Sequence, residues 1–369
     1  MPEILFVAGE ASGDIHAAGV ATELRQLRPD LELTGFGGPL MEQAGVKLFD
    51  RFETGLMGFT EVIRHIPRHY VLLEIIRTRL ATGNVAAVIV VDYPGFNMKV
   101  ARAATDANVP VLYYITPQVW AWGGNRLPKL AKVVTRAAVI LPFEEPLLRG
   151  AGIDATFVGH PLLDRAGGMP SRSDARASLG LSAGSPVLAL FPGSRQQEIE
   201  RHISDFVDAA KEAVRMIPSL QVIVSVAPSI QLTASECPFR LVHSASFTVL
   251  RAADAALCKS GTTTLEAALA DCPLVVAYRT SGVSYLLARW MVTIPHIGLV
   301  NVVAGREVAR EFVQDALQPV PVARELERLL KPDDAERARV LAGLAEVRGK
   351  LGTPGAAARV AVMASELAG

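Results

Sequence analysis

Apolar residues along the chain fall into two rhythms: short unbroken runs, and longer stretches in which they return every three or four positions. Residues 4–8 (ILFVA) form an unbroken run of the buried-strand kind. The loop Gly9-Glu10-Ala11-Ser12-Gly13-Asp14 follows, and then Ala17, Val20, Ala21, Leu24 and Leu27 share one helical face. Strand, glycine loop and helix open a βαβ unit. The same logic predicts strands at 85–91 (VAAVIVV), 109–115, 133–141 and 155–158, with helical segments between them. Around 164–185 the rhythm lapses into glycine, proline and serine, which reads as a linker with a short helix at 173–179. It restarts with a strand at 187–191, the loop Pro192-Gly193-Ser194-Arg195, and a helix whose one face carries Ile199, Ile203, Phe206, Val207, Ala210 and Val214. Later strands are expected at 221–226, 255–259 and 274–278, and a last helix from Pro354.

Alternating strands and helices imply parallel sheets covered on both faces. A chain of 369 residues exceeds one ordinary domain of ~100–200 residues. The expected fold is therefore α/β: two Rossmann-like doubly wound domains facing across a cleft. Residues 1–165 form the first and 166–349 the second, with a terminal helix near 350–369 packing back on the first. Ligands in such sheets sit at the carboxyl ends of the strands.

Composition narrows the functions. Half the residues are hydrophobic, which argues against disorder. Lys plus Arg and Asp plus Glu balance at 37 each, so the basic excess of a nucleic-acid binder is missing. Cys237, Cys258 and Cys272 form no CxxC and cannot all pair, which fits a reducing compartment. The first residues read as a strand rather than a secretory leader. No apolar run reaches the ~18–20 residues a membrane span needs. A place in the cytosol or on a membrane surface is expected. His16, His65, His69 and His202 stand apart from one another, and no cluster has metal-ligand spacing.

Three loops after strands are candidates for holding a nucleotide diphosphate. Gly9–Asp14 is neither GxGxxG nor a P-loop, which argues against a dehydrogenase. Pro192–Arg195 precedes a helix, whose N-terminus favours an anion, and Arg195 adds a guanidinium fork suited to phosphate. Residues 259–266 (KSGTTTLE) lead into another helix, with Ser260, Gly261 and Thr262 as donors and Glu266 placed to accept from ribose hydroxyls. Such loops also serve simply to turn the chain and cap the helix. Two in one domain, one with an arginine and one followed by an acid, favour a ligand.

Asp92 directly follows the strand at 85–91, where α/β enzymes place catalytic groups; the plainer alternative is an N-cap for a helix starting near Pro94. An inverting sugar transfer needs one such base and positive charge on the departing diphosphate. Residues 55–80 mix aliphatic side chains with Arg64, Arg68, Arg77 and Arg79. By itself that is either an interfacial helix or a core helix with arginines on its wet face. Trp120 and Trp122 follow another strand, in a loop that lines the cleft or a well-packed turn.

Several of these fragments occur in one order: residues 4–16, Gly35–Gly38 (GFGG), 55–59 (GLMGF), Asp92–Asn97, 116–122 (TPQVWAW), 158–161 (VGHP), 192–195 (PGSR), 260–266 (SGTTTLE) and 301–307 (NVVAGRE). Together they resemble the lipid-A-disaccharide synthase family over almost the whole chain. The resemblance implies the two-domain GT-B fold and a metal-independent, cofactor-free inverting transfer. UDP-2,3-diacylglucosamine would be joined to 2,3-diacylglucosamine 1-phosphate, giving a β-1′,6-linked disaccharide phosphate and UDP. It implies Asp92 as general base, Arg195 as the diphosphate arginine and Asn301 as an active-site asparagine. Glu10, Ser12, Gln118, Gly193, Ser194, Ser260, Gly261, Thr262, Glu266 and Glu307 would be substrate-binding. It turns the reading of 55–80 towards a patch that associates with the inner face of the inner membrane, and it allows a homodimer. One position departs: Tyr93 stands where a small residue is expected. Two other readings remain: a UDP-sugar 2-epimerase or other glycolipid transferase, and a non-catalytic nucleotide-sugar or lipid-binding protein.

Overall fold

The computed structural model describes residues 1–52, 59–121, 126–227, 230, 232–233, 237–281 and 294–369, with only the helical backbone given for 59–67. The chain divides into two compact units, Met1–Asp164 with Leu351–Gly369, and Arg165–Lys350.

The first unit carries a seven-stranded parallel sheet: β1 (Glu3–Ala8), β2 (Glu32–Gly37), β3 (Lys47–Arg51), β4 (Val85–Val91), β5 (Val111–Tyr114), β6 (Arg136–Val139) and β7 (Asp154–Phe157), in spatial order β3-β2-β1-β4-β5-β6-β7. β1 is unbroken in its hydrophobicity because both its faces are covered. Leu5 and Val7 join a core with Leu72, Ile76 and Val100 on one face, while Ile4, Phe6 and Ala8 join Ala17, Val20 and Leu24 on the other. The helix Ala356–Ala368 completes that second face by burying Val360 and Met363 against the helix Ala11–Leu27. The returning chain is pinned where Leu351 O accepts from His160 N at 2.9 Å and Val158 O from Arg359 Nε at 2.9 Å.

The second unit holds a six-stranded parallel sheet: β8 (Val187–Phe191), β9 (Gln221–Ser225), β10 (Arg240–Val242), β11 (Ala255–Lys259), β12 (Leu274–Tyr278) and β13 (Glu311–Val313), in order β10-β9-β8-β11-β12-β13. In each sheet the order reverses direction once, between β1 and β4 in the first and between β8 and β11 in the second. Such switch points leave a crevice at the carboxyl ends of the two strands. The segments that open there are Gly9–Glu10 with the first turn of the helix Ala11–Leu27, and Asp92–Tyr93, in the first unit, and the loops 192–195 and 260–262 in the second.

Sequence rhythm and structure differ in places. β2, β3, β10 and β13 escape the pattern: three are half-exposed, and all lie outward of the central strands. The strand expected at 133–141 spans only Arg136–Val139, because the helix Leu127–Ala131 and its closing turn take up the preceding residues. The expected linker carries the short helix read into it, as Arg172–Ser178, whose N-cap Ser171 Oγ accepts from Asp174 N at 3.1 Å, but it also takes in the end of the helix Leu162–Ala166. Of the stretch 55–80, residues 55–58 lie outside the described residues; further on, Leu72, Leu73, Ile76 and Leu80 are core while Tyr70, Val71 and Ile75 are exposed.

Candidate functional site

The second unit's switch point opens into a pocket of about 920 Å³. Its walls include Gly193, Ser194 and Arg195 from the loop after β8, Ser260, Gly261 and Thr262 from the loop after β11, and Glu266. Gly193 and Gly261 have φ of +150° and +157°, which side chains rarely tolerate, and a Cβ on Gly193 would lie 2.5 Å from Glu198 Cβ. The helix Gln196–Met216 starts at this wall with Arg195 at its N-cap and no side-chain capping bond there. The capping alternative therefore does not account for the PGSR loop. Ser260 Oγ donates to Ile297 O at 2.7 Å, tying its loop to the segment before the helix Leu299–Ala304. Glu266 is 6% exposed, and burial pushes its carboxyl above the usual range while Arg165, 3.5 Å away, opposes that.

An ion pair missed by sequence reasoning lies in this wall. Lys259 Nζ donates to Glu198 Oε1 at 2.8 Å, and Ser194 N donates to Glu198 Oε2 at 2.9 Å. Burial pushes the Glu198 carboxyl up, but Lys259, the Ser194 N–H and Arg195 together hold it below the ordinary value. The partners stand 61 residues apart, so no local motif signals them.

The sequence reading makes Asn301 catalytic; it is fully buried and its hydrogen-bonding capacity is spent. Its Nδ2 donates to Ala309 O at 2.6 Å and Glu311 Oε1 at 2.8 Å, and its Oδ1 accepts from Val308 N and Ala309 N. Glu311 in turn accepts from Ile297 N and Gly298 N. These bonds link Asn301 through Glu311 and Ile297 to the Ser260 loop. Glu307 is exposed and lines neither pocket described here; its carbonyl accepts from Arg339.

In the first unit, β4 ends in two consecutive non-glycine residues in the left-handed region, Asp92 and Tyr93, each with φ of +48°. Such residues cost ~1–3 kcal/mol each unless surroundings hold them. Here the surroundings do. Asp92 O accepts from Asn97 Nδ2 at 2.7 Å and from Tyr113 Oη at 2.9 Å, Val91 O accepts from the same Asn97 nitrogen, and Asp92 N donates to Tyr114 O. The N-cap of the helix Pro94–Asp106 falls on Tyr93, so Asp92 is not the cap. Tyr93, the local departure, lies against Gly9: a Cβ there would be 2.2 Å from the tyrosine ring. Its Oη is 3.1 Å from His69 Nε2. The bulk of Tyr93 is thus accommodated by the absence of a side chain at Gly9.

Asp92 lines a second pocket of about 220 Å³ with Pro94, Pro117, Gln118, Val119 and Arg126. The Gln118 loop is anchored by Trp120, whose Nε1 donates to the buried Glu144 Oε1 at 2.9 Å. Glu10 is the N-cap of the helix Ala11–Leu27 and Ser12 lies in its first turn, with Ser12 Oγ donating to Glu10 Oε1 at 2.8 Å. Asp14 accepts from Gly38, Leu40 and Met41 N–H groups at 3.0 Å, which satisfies the start of the helix Pro39–Gln43 and explains the GFGG fragment. Among the described residues no group of three or more His, Cys, Asp or Glu is placed to hold a metal ion. Trp122 lies outside the described residues.

Two parallel sheets, each with glycine-bearing loops at its switch point, define the class shared by GT-B glycosyltransferases and nucleotide-sugar epimerases. Among solved structures, the chain is similar to the UDP-GlcNAc 2-epimerase from Neisseria meningitidis bound to UDP-GlcNAc. The TM-score is 0.66 at 14% identity, over 99% of this chain and 100% of that one. It is also similar to the calicheamicin glycosyltransferase, with a TM-score of 0.62 at 17% identity, over 100% and 98% of the two chains. A family model described as lipid-A-disaccharide synthetase matches residues 4–348. The lipid-A-disaccharide synthase of Myxococcus xanthus is 42% identical over 374 residues, covering 99% of this chain and 97% of that protein. The chain belongs to the lipid-A-disaccharide synthase family, a family of glycosyltransferases.

Proposed function

We propose that the protein transfers the diacylglucosaminyl group of UDP-2,3-diacylglucosamine to the 6-hydroxyl of 2,3-diacylglucosamine 1-phosphate, with inversion, releasing UDP. The second unit binds the nucleotide sugar and the first supplies the base and receives the acceptor. The observation that carries this reading is the 920 Å³ pocket at the β8/β11 switch point, which combines Arg195, two left-handed glycines and a buried acid.

Asp92 takes the proton of the attacking hydroxyl. A base of this kind is worth ~10²–10⁴ in rate. Arg195 and the N-terminus of the helix Gln196–Met216 take up charge on the departing diphosphate. Glu266 accepts from the ribose hydroxyls, Gly193, Ser194, Ser260, Gly261 and Thr262 line the diphosphate seat, and Glu10, Ser12 and Gln118 contact the acceptor. No metal or cofactor takes part. No described helix is long and apolar enough to cross a membrane. Exposed Tyr70 and Val71, with Lys99 lying over the Tyr70 ring, support a protein that rests on the inner face of the inner membrane and draws its acylated substrates from there.

The test is release of UDP from the purified protein. The expected result is release only when both diacylated substrates are present. Conversion of the UDP-sugar without acceptor would instead make the chain an epimerase, and no turnover with both substrates would reject the reading.

A further inference from the structure

We propose that Lys259 is a second cation for the diphosphate of the nucleotide sugar, held against the pocket wall by Glu198 until the ligand arrives. The proposal rests on the nucleotide-sugar reading of this pocket and names a residue which that reading does not use.

Lys259 is the last residue of β11, so the strand delivers its side chain to the switch-point crevice. Only 20% of that side chain is exposed, and 17% of the Glu198 side chain it grips. A lysine this enclosed loses hydration and rotamer freedom, and an ion pair repays that poorly by itself. The position has a second use. Nζ lies beside Gly261, whose missing Cβ would be 3.9 Å from it, and both line the same cavity as Arg195 and Ser194. The Glu198 carboxylate therefore sits where two donors of the phosphate kind converge, the Ser194 N–H and the Lys259 ammonium. A diphosphate entering the pocket meets the ammonium with its place already fixed. Lys259 then neutralises phosphate charge that Arg195, on the neighbouring loop, does not cover alone.

The experiment measures uridine and UDP affinities by calorimetry for the wild type, Lys259→Met, Lys259→Arg and the double variant Lys259→Met/Glu198→Gln. A charged hydrogen bond of about 1.5–3 kcal/mol corresponds to roughly ten- to a hundredfold in affinity. The expected result is a loss of that size for UDP, with uridine unchanged, in both Lys259→Met and the double variant, and near-complete retention in Lys259→Arg. The double variant removes the carboxylate that Lys259→Met leaves unpaired, so it separates loss of a phosphate cation from exposure of Glu198. Recovery of wild-type UDP affinity in the double variant would overturn the proposal, because Lys259 would then serve only to neutralise Glu198. Unchanged UDP affinity in Lys259→Met would also overturn it. A wild type that binds no UDP would sink the nucleotide-sugar reading itself and this inference with it.

Discussion

Buried polar residues do most of the local work in this protein, and two of them tie its stability to pH in opposite senses. His160 is 5% exposed, its Nδ1 accepts from Leu162 N, and burial, with help from His16, pulls its pKa down to about 4. The unfolded imidazole takes a proton near 6.5, so this contribution is full above that pH and is lost as pH falls towards 4, by ~3 kcal/mol. Burial raises Glu144 to about 7, against the bonds from Trp120 and Leu141 N. Its contribution is full below 4.5 and is lost as pH rises through 7, again by ~3 kcal/mol. The two offset each other between 4.5 and 6.5, so the wild type alone hides both. Urea unfolding of His160→Asn across pH 4–8 should show the wild type losing ground to the variant as pH falls. Glu144→Gln should show the wild type gaining ground as pH falls. Stability differences that do not vary with pH would contradict both assignments. Neither group is legible in sequence, because each owes its pKa to burial by residues of other elements.

Elements place the reactive groups. The strained Asp92–Tyr93 turn is held from two sides, by Tyr113 on β5 and by Asn97 on the helix that follows. Tyr113→Phe deletes one of these bonds and keeps the ring in the core. It should lower kcat several-fold at unchanged UDP affinity and cost about 1 kcal/mol of stability. Asn97→Ala removes a donor from both the Val91 and Asp92 carbonyls, leaving Tyr113 as the remaining side-chain donor to Asp92 O, and should lower kcat at least about tenfold. Steady-state kinetics beside calorimetry check this, and normal kcat in both variants would contradict it. The apolar run 85–91 announced β4, and with it the position of Asp92. Nothing in the run VLYY, which reads only as a strand, announced the bond from Tyr113. Three of the four missed strands have a common physical cause. β3 (KLFDR) is half-exposed along its length and β10 and β13 have three residues each, so none presents the unbroken apolar run of a doubly covered strand. Asn301 was legible as a motif, but its hydrogen bonds to Glu311 and the backbone at 308–309 were not, because they join residues of different elements.

At the scale of the whole molecule, the same device appears in each unit: a parallel sheet with one reversal of strand order, and chemistry-bearing loops where the order reverses. Sequence patterning reached that plan because central strands are buried on both faces and the loops after them are rich in glycine. The account assigns nucleotide binding to the second unit and proton abstraction to the first, so the two should come apart under mutation. Asp92→Asn is the direct test, with UDP affinity and turnover measured on one preparation. The account predicts wild-type UDP affinity with turnover lowered at least a hundredfold, roughly. Turnover near that of the wild type would contradict it.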